Sequence, residues 1–170
     1  MFNSLNTLSH LIENQPEAAL EYNNHLADVY RYILTNKDKD LVLLREEVGF
    51  LKDYFFLLKL RFREAIHLEV EVPDNEQSEY LLPPIALQLL VENAVKHNDF
   101  SNASPLRITV QRSEDGLLVS NNWRPRPQVR KSLGIGLENL KERCELVMGI
   151  PPTFGPEGDA YRVYLPLLKS

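Results

Sequence analysis

The hydrophobic period of this 170-residue chain changes once, at Ile66, and that change limits what each part can fold into. Before it, every apolar stripe has helical spacing. Leu5, Leu8, Leu11 and Ile12 form the first. Asn14-Gln15-Pro16 then resets the chain, with Pro16 in place for a helix first turn, where its missing N–H costs nothing. Leu20, Leu26, Val29, Tyr30, Ile33 and Leu34 give a second stripe, and the charged stretch Asn36 to Asp40 breaks it. A third helix is expected over about Leu43 to Ala65, with Val48, Leu51, Phe55, Leu58 and Phe62 on one face.

After Ile66 the apolar residues alternate. Ile66, Leu68, Val70 and Val72 interleave with His67, Glu69 and Glu71, the pattern of a half-buried strand stopped by Pro73. A polar loop runs to Tyr80, and Pro83-Pro84 opens a helix through about Lys96. Leu106, Ile108 and Val110 alternate again; Asp115-Gly116 supplies turn chemistry, and Leu117 to Ser120 returns as the partner strand. Asn122 to Ser132 reads as a loop, Gly134 opens a helix to about Met148, and a last hairpin joins Thr153-Phe154 to Tyr161–Leu165. The expected fold is α/β (α+β): an N-terminal helical hairpin (1–65), then an α/β sandwich (66–170).

Charge and composition narrow the function. A net charge of −5 argues against a nucleic-acid surface, which needs a basic stripe. The single Cys144 excludes a disulfide framework and a cysteine-rich zinc site. No apolar run approaches the roughly 20 residues that span a bilayer, so a membrane attachment is expected only through a region preceding Met1.

Two constellations carry chemistry. In Val91-Glu92-Asn93-Ala94-Val95-Lys96-His97-Asn98, the pairs Glu92/Lys96 and Asn93/His97 stand four residues apart and share helix faces. Magnesium takes hard oxygen ligands and keeps waters while bridging substrate phosphates, so the Asn93 amide oxygen can suffice; Lys96 and His97 offer donors to phosphate. In Gly134-Ile135-Gly136-Leu137-Glu138-Asn139, two glycines let backbone approach a phosphate at the positive end of a helix. Either constellation alone is equally an ordinary amphipathic helix or helix start. The intervening loop carries Arg124, Arg126, Arg130 and Lys131 with no acidic residue, which suits a lid over polyphosphate or a solvated charge run.

Taken together, Asn93 on a helix, a strand pair, a basic loop and Gly-x-Gly-Leu-x-Asn resemble the ATPase fold shared by histidine kinases, Hsp90-type chaperones and mismatch-repair ATPases. Phe2-Asn3-Ser4-Leu5-Asn6, Arg31-Tyr32, Leu44 with Glu46-Glu47, Tyr54 and Arg61-Phe62 resemble the LytS-like sensor histidine kinases. Pro83-Pro84, Leu87-Gln88 and Val91 to Asn98 follow that family's pattern almost letter for letter. The resemblance implies an ATP-dependent protein-histidine kinase using ATP and Mg2+. Asn93 would hold the metal, with Glu92 as a polarising group beside it. Lys96, His97 and Asn98 would meet the phosphates, Asn121 the adenine, and Gly134, Gly136, Leu137 and Asn139 would form the lid hinge and phosphate-facing helix start. It also implies a response regulator as partner, a homodimer through the N-terminal helices, and the cytoplasmic portion of an inner-membrane protein.

Two departures qualify this. The family's acceptor histidine lies in a Pro-His-Phe-Leu-Phe-Asn segment of which Phe2-Asn3 are the visible end, so it would fall two positions before Met1 and this chain would not phosphorylate itself. The family's Asp-Asn-Gly-x-Gly after the central strand is here Asn121-Asn122-Trp123, which exchanges a carboxylate for an amide and lacks both glycines. Trp123 would pack on the base or anchor the lid. A degenerate nucleotide-binding or dimerisation module, or an ATPase of the same fold, are the rival readings.

Overall fold

The computed structural model describes residues 2–126 and 135–170. Three helices lead: α1 (Phe2–Asn14), α2 (Pro16–Asn36, with Pro16 in its first turn) and α3 (Leu44–Phe62). Between α2 and α3 lies a two-residue strand, β1 (Val42–Leu43), and a 3-10 turn, Arg63–Ala65, ends the helical part. Then follow β2 (Ile66–Glu71), α4 (Asp74–Gln77), β3 (Tyr80–Leu82), α5 (Ala86–His97), β4 (Leu106–Ser113) and β5 (Gly116–Asn122). Last come α6 (Ile135–Met148), β6 (Thr153–Glu157), β7 (Ala160–Pro166) and β8 (Leu168–Lys169).

The main sheet has the order β2-β4-β5-β7-β6. Among the described strands only β2 and β4 run parallel, Ile66 beside Leu106, and the crossover between them carries α5. One face of this sheet is apolar: Ile66, Leu106, Ile108, Val110, Leu117, Val119, Val163 and Leu165 are all buried. That face packs under α5, α6 and one side of α3, which supplies Leu44, Val48, Leu51 and Leu58 to the same core. The other face is polar, with Thr109 and Ser120 hydroxyls 2.7 Å apart across β4 and β5. The result is a two-layer sandwich, as alternation in one half and helical period in the other require.

The opposite side of α3 faces α1 and α2. Phe50 and Leu57 there meet Leu11, Ala19, Tyr22, Leu26 and Val29 in a second apolar cluster. The α2 stripe is therefore covered largely within the chain, by α3. What α1 and α2 leave exposed is Leu5, Ile12, Leu20 and Leu34.

Several details differ from the sequence expectation. The polar loop before Tyr80 contains α4, and the residues after it form β3, the middle of a small sheet β1-β3-β8. The helix expected to open at Pro83-Pro84 begins at Ala86, because Ile85 stands in the left-handed region, φ 69. The Asp115-Gly116 turn is made by Glu114 and Asp115; Gly116 already pairs with Ser113 and needs no positive φ.

Candidate functional site

Helix α5, the buried sheet face and the start of α6 enclose a cavity of about 20 Å3, room for one water. Its walls are apolar: Leu90 and Ala94 from α5, Ile108, Val119 and Val163 from the sheet, and Leu137 from α6. Six polar or aromatic side chains complete them: Asn93 and His97 from α5, Asn98 at its C-cap, Asn121 from β5, Tyr161 from β7 and Trp123 just beyond β5. The period of α5 explains the convergence. Leu90, Asn93, Ala94 and His97 recur at three- and four-residue steps and so share one face.

Asn93 is half-buried, and its Nδ2 donates to the Leu89 carbonyl at 2.9 Å. That contact leaves Oδ1 as the amide's ligand atom. The α6 start closes on it: a Cβ on Gly136 would come within 3.8 Å of Asn93 Nδ2 and 3.1 Å of a Leu89 methyl. Asn121 is 8% exposed and turns its Nδ2 to the Asn122 carbonyl, again leaving the oxygen to accept.

His97 is 3% exposed, and neither ring nitrogen has a hydrogen-bond partner among the described residues. A buried unpaired polar group is costly, so the ring is the member of the wall most in need of a ligand. Burial pushes its pKa down, and the charges of Lys96 and Arg126 push the same way. The fold thus holds His97 neutral, whereas the unfolded ring takes a proton near pH 6.5. Stability should fall as pH drops through that value, by at most about 1.4 kcal/mol per pH unit, until the folded ring titrates too. Urea midpoints at several pH values should show this acid loss, and His97→Phe should flatten it. Equal slopes in both proteins would show that the ring is not held neutral.

Asn98 has a more structural position. Fully buried, it donates from Nδ2 to the Ala94 carbonyl at 2.8 Å and accepts the Arg124 N–H at 2.8 Å. Asp99 N–H to the Arg124 carbonyl (2.7 Å) and Arg126 N–H to the His97 carbonyl (3.0 Å) complete a stitch between the end of α5 and the segment after β5. The basic side chains there are already engaged: Arg124 reaches Ser104, and Arg126 lies over the Phe100 ring, 5.7 Å from its centroid. Trp123 leans on Tyr161 with ring centroids 4.9 Å apart.

Other predicted residues stand apart from the cavity. Glu92 and Lys96 are exposed on α5. Glu92 lies toward Tyr54 of α3, whose hydroxyl is pushed up to about 12 by burial and by the Glu92 charge. Gly136 and Asn139 line a second groove with Pro84, Ile85, Leu89 and Arg143. Gly134, Arg130 and Lys131 lie outside the described residues. Tyr161 was missed by sequence reasoning; its only signal was a place opposite Asn121, which the β5–β7 register creates.

Sequence comparison points one way. The family model described as "Histidine kinase" matches residues 1–66. The sensor histidine kinase BtsS of Escherichia coli is 26% identical over 147 residues, covering 84% of this chain and 26% of BtsS. The sensor histidine kinase/phosphatase LytS of Staphylococcus aureus is 29% identical over 165 residues, covering 87% of this chain and 28% of LytS. The chain thus spans about a quarter of the length of these relatives. Among solved structures, the catalytic domain of histidine kinase ThkA matches at 19% identity and a TM-score of 0.48, over 74% of this chain and 94% of that one. Spans as long as those shared with BtsS and LytS necessarily include α5 and its cavity face, as well as most of the helical segment. These matches support a LytS-like sensor histidine kinase as the family of this chain, with the α/β sandwich as a GHKL-type domain.

Proposed function

We propose that the chain binds magnesium-ATP against α5 and serves transfer of the γ-phosphate to a histidine nitrogen, and then to an aspartate of a response regulator. In the first step the nitrogen forms a bond to the γ-phosphorus, the bond to the β,γ-bridging oxygen breaks, and ADP leaves. The observation that carries this reading is the meeting of Asn93, His97 and Asn121, from two distant elements, on one largely apolar cavity. An apolar slot with a few convergent polar groups suits a purine, and the half-buried Asn93 at its edge suits the phosphate side. The slot is smaller than a purine ring, so binding requires α6 or the Trp123 segment to move outward.

The donor set fits a magnesium ion held mainly by phosphate oxygens and water, with Asn93 Oδ1 as the protein ligand. Lys96, being exposed, reaches phosphate only beyond the cavity mouth; Glu92 would act at most on the metal's waters. Gly134, Gly136 and Asn139 would hold the phosphate side, and Asn98 would fix the segment over the base. We assign residues 1–65 to a helical dimerisation segment and 66–170 to the ATP-binding unit. The exposed Leu5, Ile12, Leu20 and Leu34 support homodimer formation through α1 and α2. No described helix is long and apolar enough to cross a membrane, and we place this portion on the cytoplasmic side of an inner-membrane protein.

Competitive displacement of a fluorescent nucleotide by ATP and GTP tests the base assignment. A hydrogen bond to a charged partner contributes about 1 kcal/mol more than one to a neutral partner, which is about fivefold in affinity. Asn121→Asp should tighten ATP binding by about that factor and sharpen the preference over GTP. Asn121→Leu should weaken ATP binding. An unchanged ATP-to-GTP ratio in both variants would remove Asn121 from the base, and no displacement at all would favour a degenerate, non-binding module.

A further inference from the structure

Glu47 lies on α3, away from the cavity, and has no solvent exposure. Its Oε1 accepts the Tyr32 hydroxyl of α2 at 2.7 Å and the Ile85 N–H at 2.6 Å, and its Oε2 accepts the Leu87 N–H at 3.0 Å. Among the described residues no basic side chain pairs with it. A carboxylate so placed is tolerable only where fixed dipoles replace the missing cation. Those dipoles are the first N–H groups of α5, which have no partner within their own helix.

The dependence is mutual. Helix α5 has no side-chain cap of its own; its N-cap position is Ile85, at φ 69 and ψ 7. A β-branched residue in the left-handed region is strained and persists only where its surroundings enforce it. The Glu47 contact to the Ile85 N–H is what holds it there. The same α5 carries Asn93 about two turns on and ends at His97.

From this geometry we infer that Glu47 is a positioning residue for the nucleotide-binding helix, and that Tyr32–Glu47 is the contact through which the α1–α2 helices set the placement of Asn93 and His97. The inference rests on the nucleotide reading of the α5 cavity, and it adds a defined physical link between the helical segment and that cavity. A shift of α2 that withdraws the Tyr32 hydroxyl leaves Glu47 under-satisfied, held among the described residues by the Ile85 and Leu87 N–H groups at the start of α5.

The test uses the 170-residue chain with Tyr32→Phe, Glu47→Gln and, as a stability control outside α2, α3 and α5, Val72→Ala. Two readouts are taken: magnesium-ATP affinity by calorimetry, and hydrogen exchange of the α5 amides without nucleotide. Tyr32→Phe and Glu47→Gln should weaken magnesium-ATP by about three- to tenfold, the scale on which residues remote from a ligand modulate it. They should also speed exchange along α5, with Tyr32→Phe acting from a different helix. Val72→Ala should lower the melting temperature without either effect. Wild-type affinity and wild-type α5 exchange in Tyr32→Phe would overturn the inference. Should the unmodified chain not bind ATP, the nucleotide reading fails, and the exchange measurement still decides the positioning role.

Discussion

Replacing Asn93 by alanine is expected to remove the magnesium-dependent share of ATP binding and leave the fold in place. The amide is half-buried at the cavity edge, with its nitrogen committed to the Leu89 carbonyl and its oxygen free of that bond. No cluster of three His, Cys, Asp or Glu side chains able to hold a metal occurs among the described residues. On the proposed reading, a phosphate-bound cation would take Asn93 Oδ1 as its hold on α5. The wild-type chain should bind ATP at least about tenfold more tightly with magnesium than with chelator, or about 1.4 kcal/mol. In Asn93→Ala the two affinities should coincide. Thermal melting should change little, since alanine suits a helix interior and the lost bond returns only to the helix's own backbone. Calorimetric titration with and without magnesium reads both proteins. The same metal dependence in each would remove Asn93 from the metal.

How much of this was readable in the sequence depends on the range of the interactions involved. Periods of 3.6 and 2 are local, and they gave the long helices and the paired strands near their true bounds. The sheet β1-β3-β8 was invisible because strands of two or three residues have no period to show. Glu46 and Glu47 look alike in sequence, yet Glu46 is exposed and accepts the Leu43 N–H, while Glu47 is sealed between three helices. Which of two adjacent carboxylates is buried depends on which faces of α3 are covered, and that is decided by the packing of distant elements. Asn98 and Arg124 show the same limit. Their types suit phosphate binding, but in the fold they fasten the end of α5 to the segment after β5.

The glycines make the same point with a measurable sign. Gly116→Ala is expected to be strongly destabilising, and Gly49→Ala to be stabilising. Gly116 is buried at the start of β5, where a Cβ would stand 2.2 Å from the Leu165 carbonyl oxygen and 3.2 Å from Pro166 Cα. Both obstacles are backbone of the neighbouring strand β7, so no rotamer change relieves them. The ladder must part at its end, where Gly116 pairs with Pro166 and where its carbonyl accepts from Arg112. Overpacking of a core costs typically about 1–3 kcal/mol, and a clash with backbone belongs at the upper end. For a chain of this size, about 3 kcal/mol lowers the melting temperature by roughly 6–12 °C. Gly49 is exposed in the middle of α3, and a Cβ there meets nothing within 4 Å. Alanine should gain about 1 kcal/mol of helix propensity, or roughly 2–4 °C. Gly155, whose added Cβ is equally unobstructed but lies in β6, serves as a control expected to change little. Calorimetric melting of the three variants decides it. A Gly116→Ala protein that melts with the wild type would mean that β5 and β7 do not approach as closely as this register requires.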